Sequence, residues 1–370
     1  MPAKKICCCL YGLFIFLSLA AQDKYTISGT ITNAKTGAPI SNASVYIANT
    51  SHGTATDKLG VFELHHVAPG SFQLVVSYVG YVTRIFPFSS DSLPMKLHAT
   101  LELKPTELDL VMVKPFMKDG WEKWGQFFVF TFIGTSVVAR EATIVNNKAI
   151  KFRWSTRPNV LEAVADEPLI IENKALGYRI KYDLEEYSYD SSEHMLYFEG
   201  FRFFEDMAKD MNKIPRRWIG NRRQAYQGSI MHFMRALYHN KLKEEGFEVT
   251  RLTKQGVDYF AKTEKLLTAD SLLSNGEDST KQLVFKDHLS VTYLNAKSDQ
   301  EYTNPESGRK GGWRQHSIIN LRSDDPVNIE YNGNYFPPLN ILLREYWGWS
   351  EKVGKILPLD YVDESETDKK

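Results

Sequence analysis

Four arginines fall close together in the segment IPRRWIGNRRQAYQGS: Arg216, Arg217, Arg222 and Arg223. Guanidinium forks grip carboxylates and phosphates at two points. Such a cluster therefore suits an external anion, such as phosphate or an acidic sugar, or a set of internal ion pairs. Apolar periodicity predicts a helix from Arg222 to about Glu245, with Tyr226, Ile230, Phe233 and Leu237 as one stripe, Asn221 as N-cap and Gln224 three residues on. Arg222 and Arg223 then lie in the first turn, where positive charge opposes the helix dipole by about 0.3–1 kcal/mol per group. That placement asks for a partner, either an internal carboxylate such as Glu205 or Asp206, or the external anion. Internal pairing is favoured, because arginine forks commonly serve structural ion pairs. These four arginines are the candidate anion-binding residues.

Other chemistry-bearing residues read as structural. Ser229, His232, Arg235 and His239 share one face of the expected helix. A Ser–His relay needs an oriented base and an oxyanion hole. No Gly-x-Ser-x-Gly elbow is present, and Gly228–Ser229 falls mid-helix, so solvated helix histidines are expected. Ser307 and Lys310 fit Ser-x-x-Lys by letter, but in a glycine-rich polar stretch rather than at a helix start. His65 and His66 are adjacent, so on a strand they face opposite sides and cannot chelate together. The acidic pairs Asp166–Glu167, Glu185–Glu186 and Asp324–Asp325 are sequence neighbours, a poor arrangement for two carboxyls about 5–10 Å apart across a sugar. Late aromatics, among them Trp313, Tyr331, Tyr335, Phe336, Tyr346, Trp347 and Trp349, suit sugar stacking but more often build cores. No residue set signals a metal or a cofactor.

The elements that would carry these residues differ between two halves. In residues 23–113 the pattern alternates. Ile27 and Ile31 oppose Ser28, Thr30 and Thr32. Phe72, Leu74 and Val76 repeat the stripe, as do Met95, Leu97, Ala99 and Leu101. Shorter strands are expected at Val45–Asn49, Val61–His66, Val82–Phe88 and Leu108–Val113. Turn formers stand between, notably Asp57 to Gly60, Pro69–Gly70 and Gly80. Pro69–Gly70 is read as reversing the chain between neighbouring strands. About seven short strands at this spacing predict a β-sandwich.

The stretches ISGTITNAKTGAPISNASVYI, TATDKLGVFELHHVAPGSFQLVVSYVGY and ELDLVMV resemble the carboxypeptidase-regulatory-like domain, which has a prealbumin-like (transthyretin-like) sandwich. The resemblance implies a folding or binding module. Similar modules begin outer-membrane TonB-dependent receptors of Bacteroidetes-type bacteria, and this chain lacks the length for their plug and barrel. Metallocarboxypeptidases bind zinc through His-x-x-Glu plus a later His. None of the nine histidines here has Glu at the third following position.

Residues 119–362 are expected to form an α+β domain, with mainly antiparallel sheet and one long amphipathic helix. A short aromatic helix is expected around Trp121–Phe132, and strands at 149–155, 160–165, 169–172, 178–187, 195–204, 247–252, 289–294, 317–321 and 327–331. Residues 268–282 and 296–312 read as loops, and 363–370 as a charged, disordered tail.

Residues 1–21 read as a signal peptide: Lys4 and Lys5, an apolar run, then Ser18, Ala20 and Ala21. All three cysteines lie within it, so the exported chain is expected to lack disulfides, thiolate metal sites and cysteine nucleophiles. Formal net charge is zero, which gives no global field for nucleic acid. No further stretch is long and apolar enough for a transmembrane helix. The expectation is an exported, non-enzymatic binding or scaffolding protein of the periplasm, outer membrane or cell surface, with a glycan or an envelope protein as partner. Two alternatives stand beside it: a hydrolase whose site is assembled from distant residues of the second domain, and an accessory to an outer-membrane TonB-dependent transporter.

Overall fold

The computed structural model describes residues 25–104, 115–255, 259–277, 279–303 and 314–363. The expected leader, the strand at Leu108–Val113, the Ser307–Lys310 motif, Trp313 and residues 364–370 lie outside the described residues. The chain divides into two compact units, one of residues up to 46 together with 53–104, the other of 47–52 together with everything from 105 on.

The first unit holds β1 (Ile27–Asn33), β2 (Ser44–Ile47), β3 (Gly53–Ala55), β4 (Val61–Leu64), β5 (Ser71–Ser77), β6 (Arg84–Ser89) and β7 (Met95–Leu101). They form a β-sandwich of a three-stranded sheet, ordered β4-β1-β7, and a four-stranded sheet, ordered β3-β2-β5-β6. β1 runs antiparallel to β4 and parallel to β7. The alternation carries the burial: Ile27, Ile31, Phe62 and Leu64 from one sheet and Val45, Leu74 and Val76 from the other are buried. Gly80, at φ +82°, turns β5 into its antiparallel neighbour β6. Pro69–Gly70 acts differently from expectation. β4 and β5 belong to separate sheets, so this link carries the chain across the sandwich rather than around a hairpin. β3 was not legible as a strand, being three residues long with little apolar content.

The second unit is mostly β with few helices. Its first layer contains β8 (Ala142–Ile144), β9 (Ile150–Trp154), β10 (Val160–Ala165), β11 (Leu169–Asn173), β12 (Tyr178–Asp190) and β13 (Met195–Asp206). The order is β8-β11-β12-β10-β9, and β13 pairs along the other side of β12. Helix α1 (Gly120–Phe128) runs on into a π-helical turn, Val129–Ile133. This lays Phe128 and Phe132 against Tyr182 and Tyr187 in a first core.

Two further helices follow, α2 (Arg216–Tyr226) and α3 (Ile230–Tyr238). Then come β14 (Phe247–Gln255), β15 (Tyr259–Leu266), β16 (Leu273–Asn275), β17 (Lys281–Leu283), β18 (His288–Tyr293), β19 (Gln315–Leu321), β20 (Val327–Ile329), β21 (Tyr335–Phe336), β22 (Ile341–Arg344) and the short α4 (Glu345–Ser350). They build a five-stranded sheet, β15-β14-β18-β19-β22, and a four-stranded one, β16-β17-β20-β21. Residues 268–282, expected as loop, thus contain β16 and the start of β17. A second core gathers Phe233, Leu237, Phe247, Tyr346, Trp347 and Trp349, with Tyr335 packed against it, whereas Tyr331 and Phe336 are exposed.

The single long helix expected from Arg222 is not formed. Helix α2 ends at Tyr226, Gly228 takes φ +74°, and α3 starts afresh. A Cβ on Gly228 would stand 2.2 Å from Gln315 Oε1, so only glycine fits this break. Ser229 is then the N-cap of α3, its Oγ accepting the His232 amide at 3.1 Å. The interruption divides the apolar stripe: Tyr226 enters the first core, while Ile230, Phe233 and Leu237 enter the second.

Candidate functional site

The four candidate arginines do not converge. Helix α2 begins at Arg216, not at Arg222, so the unfavourable first-turn placement passes to Arg216 and Arg217, while Arg223 stands in the last turn, where positive charge is favoured. Arg216 is exposed. Arg217 bonds to Glu141, and Arg223 reaches Asp363 at 3.1 Å. Asp363, the first residue of the expected tail, is itself buried. Arg222 is 5 % exposed and forks onto Asp206, Nη1 to Oδ2 at 2.9 Å and Nη2 to Oδ1 at 3.0 Å. Its Nε donates to the Leu176 carbonyl at 2.7 Å, and its guanidinium lies 3.9 Å from the centre of the Tyr178 ring.

Arg222 and Asp206 also line a cavity of about 200 Å³ in the second unit, together with Ser51, Tyr178, Asp360 and Tyr361. Asp360 is held from one side: Ser51 donates its amide to Oδ1 at 2.9 Å and its hydroxyl to Oδ2 at 2.6 Å. Asp206 additionally accepts the Ala208 amide at 2.8 Å. Burial pushes the Tyr178 phenol far above its ordinary value, so it keeps its proton. The cavity wall carries two carboxylates against one guanidinium, which Asp206 already matches. It favours a neutral hydroxyl-bearing guest over an anion: carboxylate lone pairs accept hydroxyl donors, and the half-buried Tyr361 offers an apolar ring, the Tyr178 face being covered by Arg222. Arg222 and Asp206 were expected as a possible internal pair, and the fork bears that out; the other lining residues carried no sequence signal. They come from positions 51, 178, 360 and 361, and only tertiary packing unites them.

The Ser229–His232 pair is built for folding. His232 is buried between Tyr226, Phe247 and Tyr293, not solvated as expected. Its Nδ1 accepts the Gly228 amide at 3.1 Å, which places the ring proton on Nε2, 3.1 Å from Glu245. Neither ring nitrogen addresses the Ser229 hydroxyl, whose bond is to the His232 backbone. His239 is exposed at the end of α3. Arg235, on the same helix, donates to the carbonyls of Asn332 at 2.8 Å, Leu359 at 3.0 Å and Tyr361 at 3.0 Å. His65 and His66 lie past the end of β4, His66 at φ +57°.

Two carboxylates stand above their ordinary range. Burial raises Glu330 to about 7, and burial raises Glu351, opposed by Lys355 4.0 Å away. Neither lines the cavity. Among the described residues, no group of three His, Cys, Asp or Glu could hold a metal ion, and no helix is long and apolar enough to cross a membrane.

Residues 27–113 match the CarboxypepD_reg-like domain, and the N-terminal sandwich is a domain of that kind. No curated protein matches the chain. Among solved structures, an N-terminal interface mutant of a type II cohesin–X-dockerin complex from Acetivibrio cellulolyticus is 31 % identical, with 20 % of this chain and 51 % of that one covered and a TM-score of 0.18. The chain thus spans about half the length of that structure. The C-terminal interface mutant of the same complex aligns at 23 % identity over 30 % of this chain and 75 % of the other, with a TM-score of 0.18. A candidate carbohydrate binding protein from Bacteroides uniformis aligns at 7 % identity over 50 % and 81 %, with a TM-score of 0.17. Superpositions this poor carry no statement about ligand.

Proposed function

We propose that the chain is an exported, non-catalytic binding protein, in which a CarboxypepD_reg-like sandwich accompanies a second unit that holds a neutral sugar ring. The observation that carries this reading is the cavity wall: Tyr178 and Tyr361 beside Asp206, Arg222 and Asp360. With liquid water taking about 30 Å³ per molecule, the space equals roughly six or seven waters, the size of one monosaccharide. Hydroxyls of the guest donate to Asp360 and Asp206, and a ring face lies along tyrosine.

Calorimetric titration of the full chain with neutral mono- and disaccharides, with an acidic sugar and with sulfate tests it. Neutral sugars are expected to bind. Asp360→Asn should weaken them about 10- to 100-fold, the worth of one charge-assisted hydrogen bond. Binding of sulfate without any neutral sugar would replace this reading with the anion site.

A further inference from the structure

We propose that the free edge of β13, Met195–Phe201, docks an extended basic segment of a partner protein by strand addition. The proposal is independent of the cavity.

β13 pairs with β12 over its whole length, and its far side is a sheet edge. The chain itself shows that this edge accepts a strand. Asn49 donates its amide to the Arg202 carbonyl at 2.7 Å, and the Phe204 amide donates to the Thr50 carbonyl at 3.0 Å, in a parallel bridge. Arg202 and Phe204 therefore aim their backbone groups away from β12. Along an antiparallel strand this direction alternates, so Gly200, Phe198 and Leu196 aim theirs outward too. Among the described residues, no strand pairs with that stretch.

Edges of this kind are normally guarded by charged side chains, lysine above all, by proline or by a bulge, and Glu199 is the one charge on this stretch. Met195–Phe201 reads Met-Leu-Tyr-Phe-Glu-Gly-Phe and contains neither lysine nor proline. The one register shift of the pair falls at Leu184/Glu186 on β12, not on β13.

Charge selects the guest. Asp183, Glu185, Glu186, Asp190, Glu193 and Glu199 lie between positions 183 and 201, with no lysine or arginine. Glu186 and Glu199 stand directly opposite each other across the two strands, a destabilising like-charge pair. Neutral hydroxyls donate to both: Tyr197 to Glu199, and Ser188 to Glu186 at 3.5 Å. An added strand would place one side chain about 5 Å from Glu199, where lysine or arginine relieves the repulsion. A second copy of this chain would instead bring the same carboxylates to the edge.

Hydrogen exchange of the full chain tests the proposal, with a synthetic peptide alternating lysine with threonine and valine as the probe. The expected result is slowed exchange at Leu196, Phe198 and Gly200, lost when alternate amides of the peptide are N-methylated or its lysines become glutamates. Glu199→Gln should weaken binding about two- to fivefold, the worth of one cross-strand ion pair, with a melting temperature no lower than that of the native chain as the folding control. Three results would overturn the proposal: no protection at these amides, equal protection by the glutamate peptide, or protection through self-association without peptide.

Discussion

His232 Nε2 lies 3.1 Å from Glu245, while its Nδ1 accepts the amide of Gly228 at the same distance. A second ring proton would point at that amide hydrogen. Burial holds the imidazole below its ordinary value, against the pull of Glu245. The unfolded chain, with a histidine pKa of about 6.5, takes up the proton first. Stability should therefore be intact above about pH 6.5 and decline as pH falls from there toward the folded pKa. Thermal melts between about pH 8 and pH 5 should show a steeper acid loss for the native chain than for His232→Gln; parallel curves would refute this account.

The Arg222–Asp206 fork is a structural pair, and Arg216 is not part of it. Removing one partner of a buried pair costs about 3–5 kcal/mol, whereas exposed substitutions stay within about 0.5 kcal/mol. Urea denaturation should thus separate Arg222→Ala, strongly destabilised, from Arg216→Ala, unchanged. Equal behaviour of the two would argue against the fork as a folding element.

Glu330 offers a pH dependence of opposite sense. It is 5 % exposed, sits in a turn closed by Asn334, and burial raises it to about 7. The contribution from its protonated form is complete below the unfolded value of about 4.3 and is lost as pH rises through the folded value. Glu330→Gln should leave stability unchanged near pH 4 and raise it at about pH 8, by something on the order of 3–4 kcal/mol. Melting curves of both proteins across that range provide the measurement. A benefit that is constant with pH would exclude titration as its cause.

Lys355 and Glu351 are buried 4.0 Å apart, and among the described residues Lys355 Nζ has no hydrogen-bond partner. Burial lowers the lysine and raises the glutamate. Apolar or neutral replacement of a buried pair is often neutral or stabilising, by about 1–4 kcal/mol, while a lone survivor is costly. The double variant Lys355→Met/Glu351→Gln should match or exceed native stability in urea, with Glu351→Gln alone falling below it. A double variant weaker than the native chain would mean that the pair is net stabilising.

Local pattern revealed most strands, because β9 and the first five residues of β12 bury alternate residues and the sequence writes that alternation directly. It failed where two meanings share one pattern. Tyr226, Ile230, Phe233 and Leu237 keep helical spacing across Gly228, so the stripe hides a break that serves two cores. Gly228–Ser229 was the available clue, a glycine stop followed by a cap. Pro69–Gly70 announces a change of direction but not which sheet receives the next strand. Beyond Arg222 and Asp206, the cavity residues were invisible for a different reason: Ser51 and Asp360 meet across 309 positions, and no spacing rule links them.

Arg235 bonds to carbonyls 124 and 126 positions downstream, at Leu359 and Tyr361. A ribosome adding about 5–20 residues per second needs roughly 6–25 s to travel that distance. During the interval α3 is out in the cell with its arginine still hydrated and its second core open. The unit beginning at residue 105 therefore completes itself late, and whatever handles the nascent chain must shield Phe233, Leu237 and their neighbours until those last acceptors emerge.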